Sequence, residues 1–337
     1  MLNFEMQPAA VPPQETAAPR SPLRERLTDP RTLISFVILA LVLFFVLTHV
    51  QLDYGATLTA IRQTNPAFYA LAIAVFYFSF VIRDLRWQVL LRNADEHLTF
   101  GQLFHIIILA WFANCVLPAK MGDFYRAYLL RQETEVSGSK GLGTIFSERA
   151  LDFVVLMGLL VVSGLISFRK AVPQKFLPAF IAGLVICAGL VALFIAIRFS
   201  EGRLSRLLPH RLQERAAHFK HGLLSATSGR IPLLIGLTVA VWLAESARLF
   251  FVVQALPFHV TLGFSQIIFI ALVASLLTTI PALPGGLVLV EGGIVAVLAF
   301  FGLSTTHAFT IAILDRLISY WSLIAVGLVV FIFSHRR

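Results

Sequence analysis

Six stretches of this chain, residues 33–50, 67–91, 143–167, 176–198, 231–256 and 306–334, are apolar over close to the length needed to cross a bilayer. About 20 such residues wound as a helix span the ~30 Å of hydrocarbon. No water is present there to bond a bare backbone, so segments of this kind fold as helices. Three shorter or interrupted apolar runs occupy 101–117, 264–282 and 284–301. Only 13% of the 337 residues are charged, about half the share in soluble domains. The fold class is therefore an all-α polytopic membrane protein, with no room for a sizeable soluble domain.

Residues 1–32 are rich in Pro, Ala, Glu and Arg without apolar periodicity and read as a disordered cytoplasmic tail. Residues 33–334 then form a single transmembrane domain. Arg24, Arg26 and Arg31 precede the first apolar run and no small-residue cleavage site follows it, the pattern of an uncleaved anchor. Cys115 and Cys187 lie in different apolar runs with no C-x-x-C, which indicates neither a disulfide framework nor a metal site. His218 and His221 share a helix face but lack a third ligand. No phosphate-binding loop, dinucleotide fingerprint or H-E-x-x-H occurs. No metal or cofactor is expected.

The net charge of +9 is concentrated at 198–230, where Arg198, Arg203, Arg206, Arg211, Arg215, Lys220 and Arg230 face only Glu201 and Glu214. Leu204, Leu207, Leu208, Leu212, Phe219 and Leu223 recur there at helical spacing. This basic amphipathic segment, 199–230, has two compatible readings. It is an interfacial helix on an anionic leaflet, or a positive-inside signal that fixes orientation. Nucleic acid is not the expected partner, because the charge borders membrane spans.

If all nine apolar runs crossed the bilayer from a cytoplasmic N-terminus, this segment would lie outside, against the positive-inside rule. If 101–132 enters from inside and returns, and 264–301 does likewise from outside, the inside segments hold 15 basic residues and the outside segments 4. Arg169, Lys170 and Lys175 remain exceptions. Six spans plus two re-entrant hairpins follow, with both termini cytoplasmic at the cell membrane. The first hairpin turns at Leu117-Pro118 and restarts after Gly122, with Asp123 placed as an N-cap. The second turns through "TTIPALPGG", with Pro284 at a first helical position beside Gly285 and Gly286. A helix that starts inside the membrane aims its positive end into the bundle and can receive an anion.

With this topology the halves mirror one another as an inverted repeat, 33–167 against 176–334. The second span of each half carries acid–base groups, Arg83, Asp84 and Arg86, then Glu245 and Arg248. Each hairpin carries a Pro-Gly break and an acid, Asp123 or Glu291, and each following span an adjacent acid–Arg pair, Glu148-Arg149 or Asp315-Arg316. Inverted repeats with broken helices mark many transporters, with substrate at the repeat interface. Ionisable groups at this depth are costly and by default functional. Arg149–Asp152 and Glu245–Arg248, each three apart on a helix, can also pair internally as structural glue. Trp87, Trp111, Trp242 and Trp321 read as packing residues or interface anchors.

The segments "NCVLPAKMGDFYRAYLL", "SERALDFVVL" and "PALPGGLVLVEGG" resemble those of the lysylphosphatidylglycerol synthase transmembrane region, an AglD/YbhN-like group, over residues 33–334. The resemblance implies a lipid-moving membrane bundle. It assigns Asn114, Pro118, Gly122, Asp123, Arg126, Glu148, Arg149, Asp152, Pro284, Gly285, Gly286 and Glu291 to a polar core that binds substrate. Asp315 and Arg316 join by repeat symmetry. Arg83, Asp84, Arg86, Glu245 and Arg248 are supporting charges. The 337 residues hold nothing like the soluble aminoacyl-transferase domain of the synthases, so a lysyl transferase is not expected. The third motif also lacks a further glycine that the family pattern carries soon after the pair. The leading expectation is a lipid translocator for a phospholipid or related lipid with an anionic or zwitterionic head, held by Arg126 and Arg149. The alternatives are a lipid-binding accessory of a separately encoded synthase and a membrane-embedded lipid transferase, although no D-x-D or His–acid motif supports the latter.

Overall fold

The computed structural model describes residues 53–117, 120–168, 173–174, 177–199, 209–226, 228–279 and 284–334. The tail, the apolar run at 33–50, Pro118 and residues 200–208 lie outside the described residues. The described residues form eleven helices and no strand. In chain order these are α1 (Tyr54–Arg62), α2 (Pro66–Asn93), α3 (Phe100–Val116), α4 (Met121–Glu133), α5 (Gly138–Phe168) and α6 (Leu177–Phe199). They continue with α7 (His210–Ala226), α8 (Ile231–Ala255), α9 (Phe264–Leu277), α10 (Leu289–Phe300) and α11 (Thr305–Ser334).

Five helices are long and apolar enough to cross a membrane: α2, α5, α6, α8 and α11. They coincide with five of the six expected spans. Helices α3, α9 and α10, at 17, 14 and 12 residues, rise about 1.5 Å per residue and fall short of ~30 Å. With α4, these are the legs of the two expected hairpins. Burial separates centre from periphery. In α6 only 11% of the apolar window is buried, against 44% in α8. Val185 and Leu184 of α6 are exposed, and a helix apolar on every side needs a lipid environment. Helices α2 and α8 form the most extensive pairing and carry the central charges.

Local chemistry sets the helix starts. Asn65 accepts the Ala67 N–H at 2.9 Å, with Pro66 preset for the first turn of α2. The two hairpins begin alike. Gln102 Oε1 accepts the Thr99 N–H at 2.9 Å, and Gln266 Oε1 accepts the Gly263 N–H at 2.7 Å. Each glutamine reaches back one turn to satisfy a backbone group that the helix leaves bare.

The second legs differ from expectation in detail. Helix α4 starts at Met121, so Asp123 lies in its first turn and Lys120, left-handed at φ 52°, occupies the cap. The reason lies across the hairpin. Gly122 donates its N–H to Asn114 Oδ1 at 2.8 Å, so α3 supplies the capping acceptor. A Cβ on Gly122 would meet the Ala110 carbonyl oxygen at 2.0 Å, and only glycine seats there. Pro284 likewise does not open α10 but a three-residue 3-10 turn to Gly286. A Cβ on Gly285 would meet the Tyr320 ring at 2.3 Å. The chain turns away left-handed at Gly285 and Gly286, with φ 58° and 68°, and α10 begins only after Val288, strained at φ 69°.

The basic amphipathic segment is helical over the described part, as α7. Its apolar stripe is partly claimed by protein, since α7 packs on the start of α5 and Leu223 is buried. Gly143 of α5 and Gly222 of α7 let the backbones touch; a Cβ on Gly222 would lie 2.2 Å from the Lys140 carbonyl oxygen. Leu212 stays exposed. The expected lipid-facing stripe is thus reduced to the N-terminal part of the helix.

Candidate functional site

A partly open cavity of about 120 Å³ lies where the two hairpins meet α2, α5, α8 and α11, roughly ten times what one water requires. The first hairpin contributes Trp111, Asn114, Cys115, Leu117, Lys120 and Asp123, and α5 adds Arg149. The second contributes Ser275, Thr278, Gly285 and Gly286, and α11 adds Asp315, Arg316, Ser319 and Tyr320. Phe76 and Arg83 of α2 face Trp242, Glu245 and Arg248 of α8. Tyr320 stitches the hairpins together, donating its phenol O–H to the Cys115 carbonyl at 3.0 Å beside Gly285.

The ionisable side chains, buried except for the part-buried Arg149 and Asp123, are chained together, as charges in a low-dielectric interior require. Arg83 donates to Glu245 at 2.8 Å, and Arg248 bridges Glu245 at 3.2 Å to Asp315. This chain joins α2, α8 and α11. A second joins α2, α4 and α5. Arg86 binds Asp152 at 2.5 Å, Glu148 at 2.8 Å and the Thr238 hydroxyl at 3.0 Å. Arg126 pairs with Glu148 at 3.0 Å and lies 3.7 Å over the Trp87 ring. Arg149 holds both oxygens of Asp123, at 3.0 and 3.2 Å, and Asp152 at 3.2 Å.

The two expected halves make similar ion pairs. Arg149 grips Asp123 of the first hairpin through Nε, and Arg316 grips Glu291 of the second through Nε at 2.8 Å. Arg316 also donates to the Gly285 carbonyl at 2.8 Å. In each half an arginine of the second span, Arg86 or Arg248, binds an acid of the last, Asp152 or Asp315. The anticipated internal pairs Arg149–Asp152 and Glu245–Arg248 both form, but each member also reaches another helix.

Of the expected residues, Asn114, Asp123, Arg149, Gly285, Gly286, Asp315 and Arg316 line the cavity, with Arg83, Glu245 and Arg248 from the supporting set. Gly122, Arg126, Glu148, Asp152, Glu291, Asp84 and Arg86 are absent from that lining. Pro284 lies in the turn of the second hairpin, and Pro118 lies outside the described residues. Arg126 and Arg149 are expected around one head group; Arg149 lines the cavity, whereas Arg126 pairs with Glu148 and lies over Trp87 behind the wall. Among the described residues, Gln88 donates to Asp84 at 3.0 Å. Lining residues not anticipated include Lys120, Trp111, Trp242, Thr278 and Tyr320. Lys120 stands inside the "PAKMGD" break itself, and Tyr320 lies one turn beyond Arg316, so motif position and helix period were the available signals. Among the described residues no group of three or more His, Cys, Asp and Glu could hold a metal.

Residues 32–327 match the family described as the lysylphosphatidylglycerol synthase TM region. The chain belongs to this family. Its relatives include a UPF0104 membrane protein of Methanocaldococcus jannaschii, 34% identical over 226 residues, which cover 67% of this chain and 95% of that protein. A UPF0104 membrane protein of Methanothermobacter thermautotrophicus is 27% identical over 91% of this chain and 94% of its own length. The glycosyltransferase AglD of Haloferax volcanii is 26% identical over 137 residues, 41% of this chain and 22% of that protein. Membership in the lysylphosphatidylglycerol synthase TM region family accords with the three motifs, and each contributes side chains to the cavity or to its ion-pair network.

Proposed function

We propose that this protein moves a lipid with an anionic or zwitterionic head group between the leaflets of the cell membrane. The observation that carries the reading is a charged, partly open cavity walled by both hairpins, inside a chain clad in exposed apolar side chains. The head enters the cavity while the tails stay in the bilayer. One half rocks against the other about the shared cavity, as in other repeat-built carriers. Both termini are cytoplasmic, and a separately encoded synthase supplies the lipid. The test is transbilayer movement of a fluorescent phospholipid in liposomes containing only the purified chain. Movement above empty liposomes supports the proposal. Tight lipid binding without movement replaces it with an accessory role, and a new lipid product formed from a supplied donor replaces it with a transferase.

A further inference from the structure

Resting on that reading of the cavity, the polar lining is lopsided in one respect. All three of its carboxylates are engaged by arginine: Asp123 by Arg149, Glu245 by Arg83 and Arg248, and Asp315 by Arg248. Donors are left over. Lys120 lines the cavity and, among the described residues, has no carboxylate within ion-pairing distance. Trp242 Nε1 and Arg83 Nε are buried without an acceptor. The Asn114 side-chain oxygen is taken by Gly122, which leaves its amide N–H groups for a ligand. The hydroxyls of Ser275, Thr278, Ser319 and Tyr320 each donate to a backbone carbonyl and lend a ligand only neutral oxygen.

A buried donor without a partner is expensive, and a charged one more so. What this lining lacks is an acceptor of negative charge. An ammonium group, by contrast, would find no carboxylate that is not already held by arginine. We infer that the cavity selects a lipid phosphate that carries no cationic group, with Lys120, Asn114 and Trp242 contacting the phosphate oxygens, and rejects lipids whose heads bear an added amine. Phosphate recognition by a lysine as a point charge, beside neutral N–H donors, is ordinary chemistry. The left-handed backbone at Lys120 (φ 52°) fixes where its side chain leaves the hairpin.

The test uses the purified full chain in detergent and three probes: short-chain phosphatidic acid, a lysyl ester of phosphatidylglycerol, and inorganic phosphate. The expected result is that phosphatidic acid binds at least tenfold more tightly than the lysyl ester. Inorganic phosphate should compete, but only at far higher concentration, because it brings no tails. Inorganic phosphate that binds as tightly as the lipid makes the site one for a free anion and overturns the lipid assignment. Equal or tighter binding of the lysyl ester overturns the selectivity. Lys120→Asn, chosen because asparagine tolerates the left-handed conformation, should weaken phosphatidic acid about tenfold or more. Trp242→Phe keeps an aromatic ring but removes the pyrrole portion with its N–H, so it stays informative where the first variant fails to fold; its expected loss is about three- to tenfold. Unchanged affinity in Trp242→Phe and in a folded Lys120→Asn overturns the contacts. A chain that binds as described yet moves no lipid loses the transport reading and keeps this one. A chain that moves lipids regardless of head charge does the reverse.

Discussion

Arg86 shows how much one side chain organises. It is fully buried and bonds Glu148, Asp152 and Thr238 on two other helices. Removing one partner of a buried pair strands the other charge, at about 3–5 kcal/mol. Arg86→Leu should therefore lower the thermal unfolding midpoint in detergent sharply, and Arg86→Leu with Glu148→Gln and Asp152→Asn should recover part of it. A single variant as stable as the parent would mean that water reaches these acids. Arg126 and Arg149 now separate. Arg126→Ala removes a packed ion pair and should cost stability, whereas Arg149→Ala frees Asp123 in the cavity and should weaken lipid binding, by about 1.5–3 kcal/mol if it loses a charged hydrogen bond. Similar binding losses in both, with both folded, would return Arg126 to the site. The charged positions were legible in the sequence because ions in apolar runs are conspicuous. Their partners were not, since Arg83 meets Glu245 across 162 positions and nothing local records that distance.

At the scale of the element, α7 and the hairpins carry the lessons. The contact of Gly143 with Gly222 lets α7 lie against α5 backbone to backbone. Gly222→Ala should cost about 1–3 kcal/mol by overpacking, read as lower thermal stability and faster proteolysis between α6 and α7. A neutral effect would show that α7 can lift away, restoring a fuller surface role. Helix period and charge foretold an amphipathic helix here, but an apolar stripe looks the same whether lipid or a neighbouring helix covers it. The hairpins were legible for a different reason: proline and glycine after 17 apolar residues leave too little helix to cross. Their start sites were misplaced, by three residues at the first hairpin (Asp123 for Lys120 as cap) and five at the second (Pro284 for Leu289), because the deciding contacts, Asn114 to Gly122 and Gly285 against Tyr320, lie in other segments.

For the molecule as a whole, the inverted arrangement makes a claim about sides. With Cys115 and Cys187 replaced, a single cysteine at Ser137 and one at Thr261 should react with an impermeant reagent from opposite faces of the membrane, Ser137 from the cytoplasm. Labelling of both from one face would remove the inverted repeat, and the shared cavity would need another explanation. The paired grips of Arg149 on Asp123 and Arg316 on Glu291 are what that experiment puts at stake. One tether then sets the order of assembly. Tyr320, in α11, holds the Cys115 carbonyl 205 positions upstream, and chains leave the ribosome N-terminus first. A nascent chain released near residue 303 would contain both hairpins and no wall from α11. The cavity is therefore closed only once α11 has been synthesised, after both hairpins have been made.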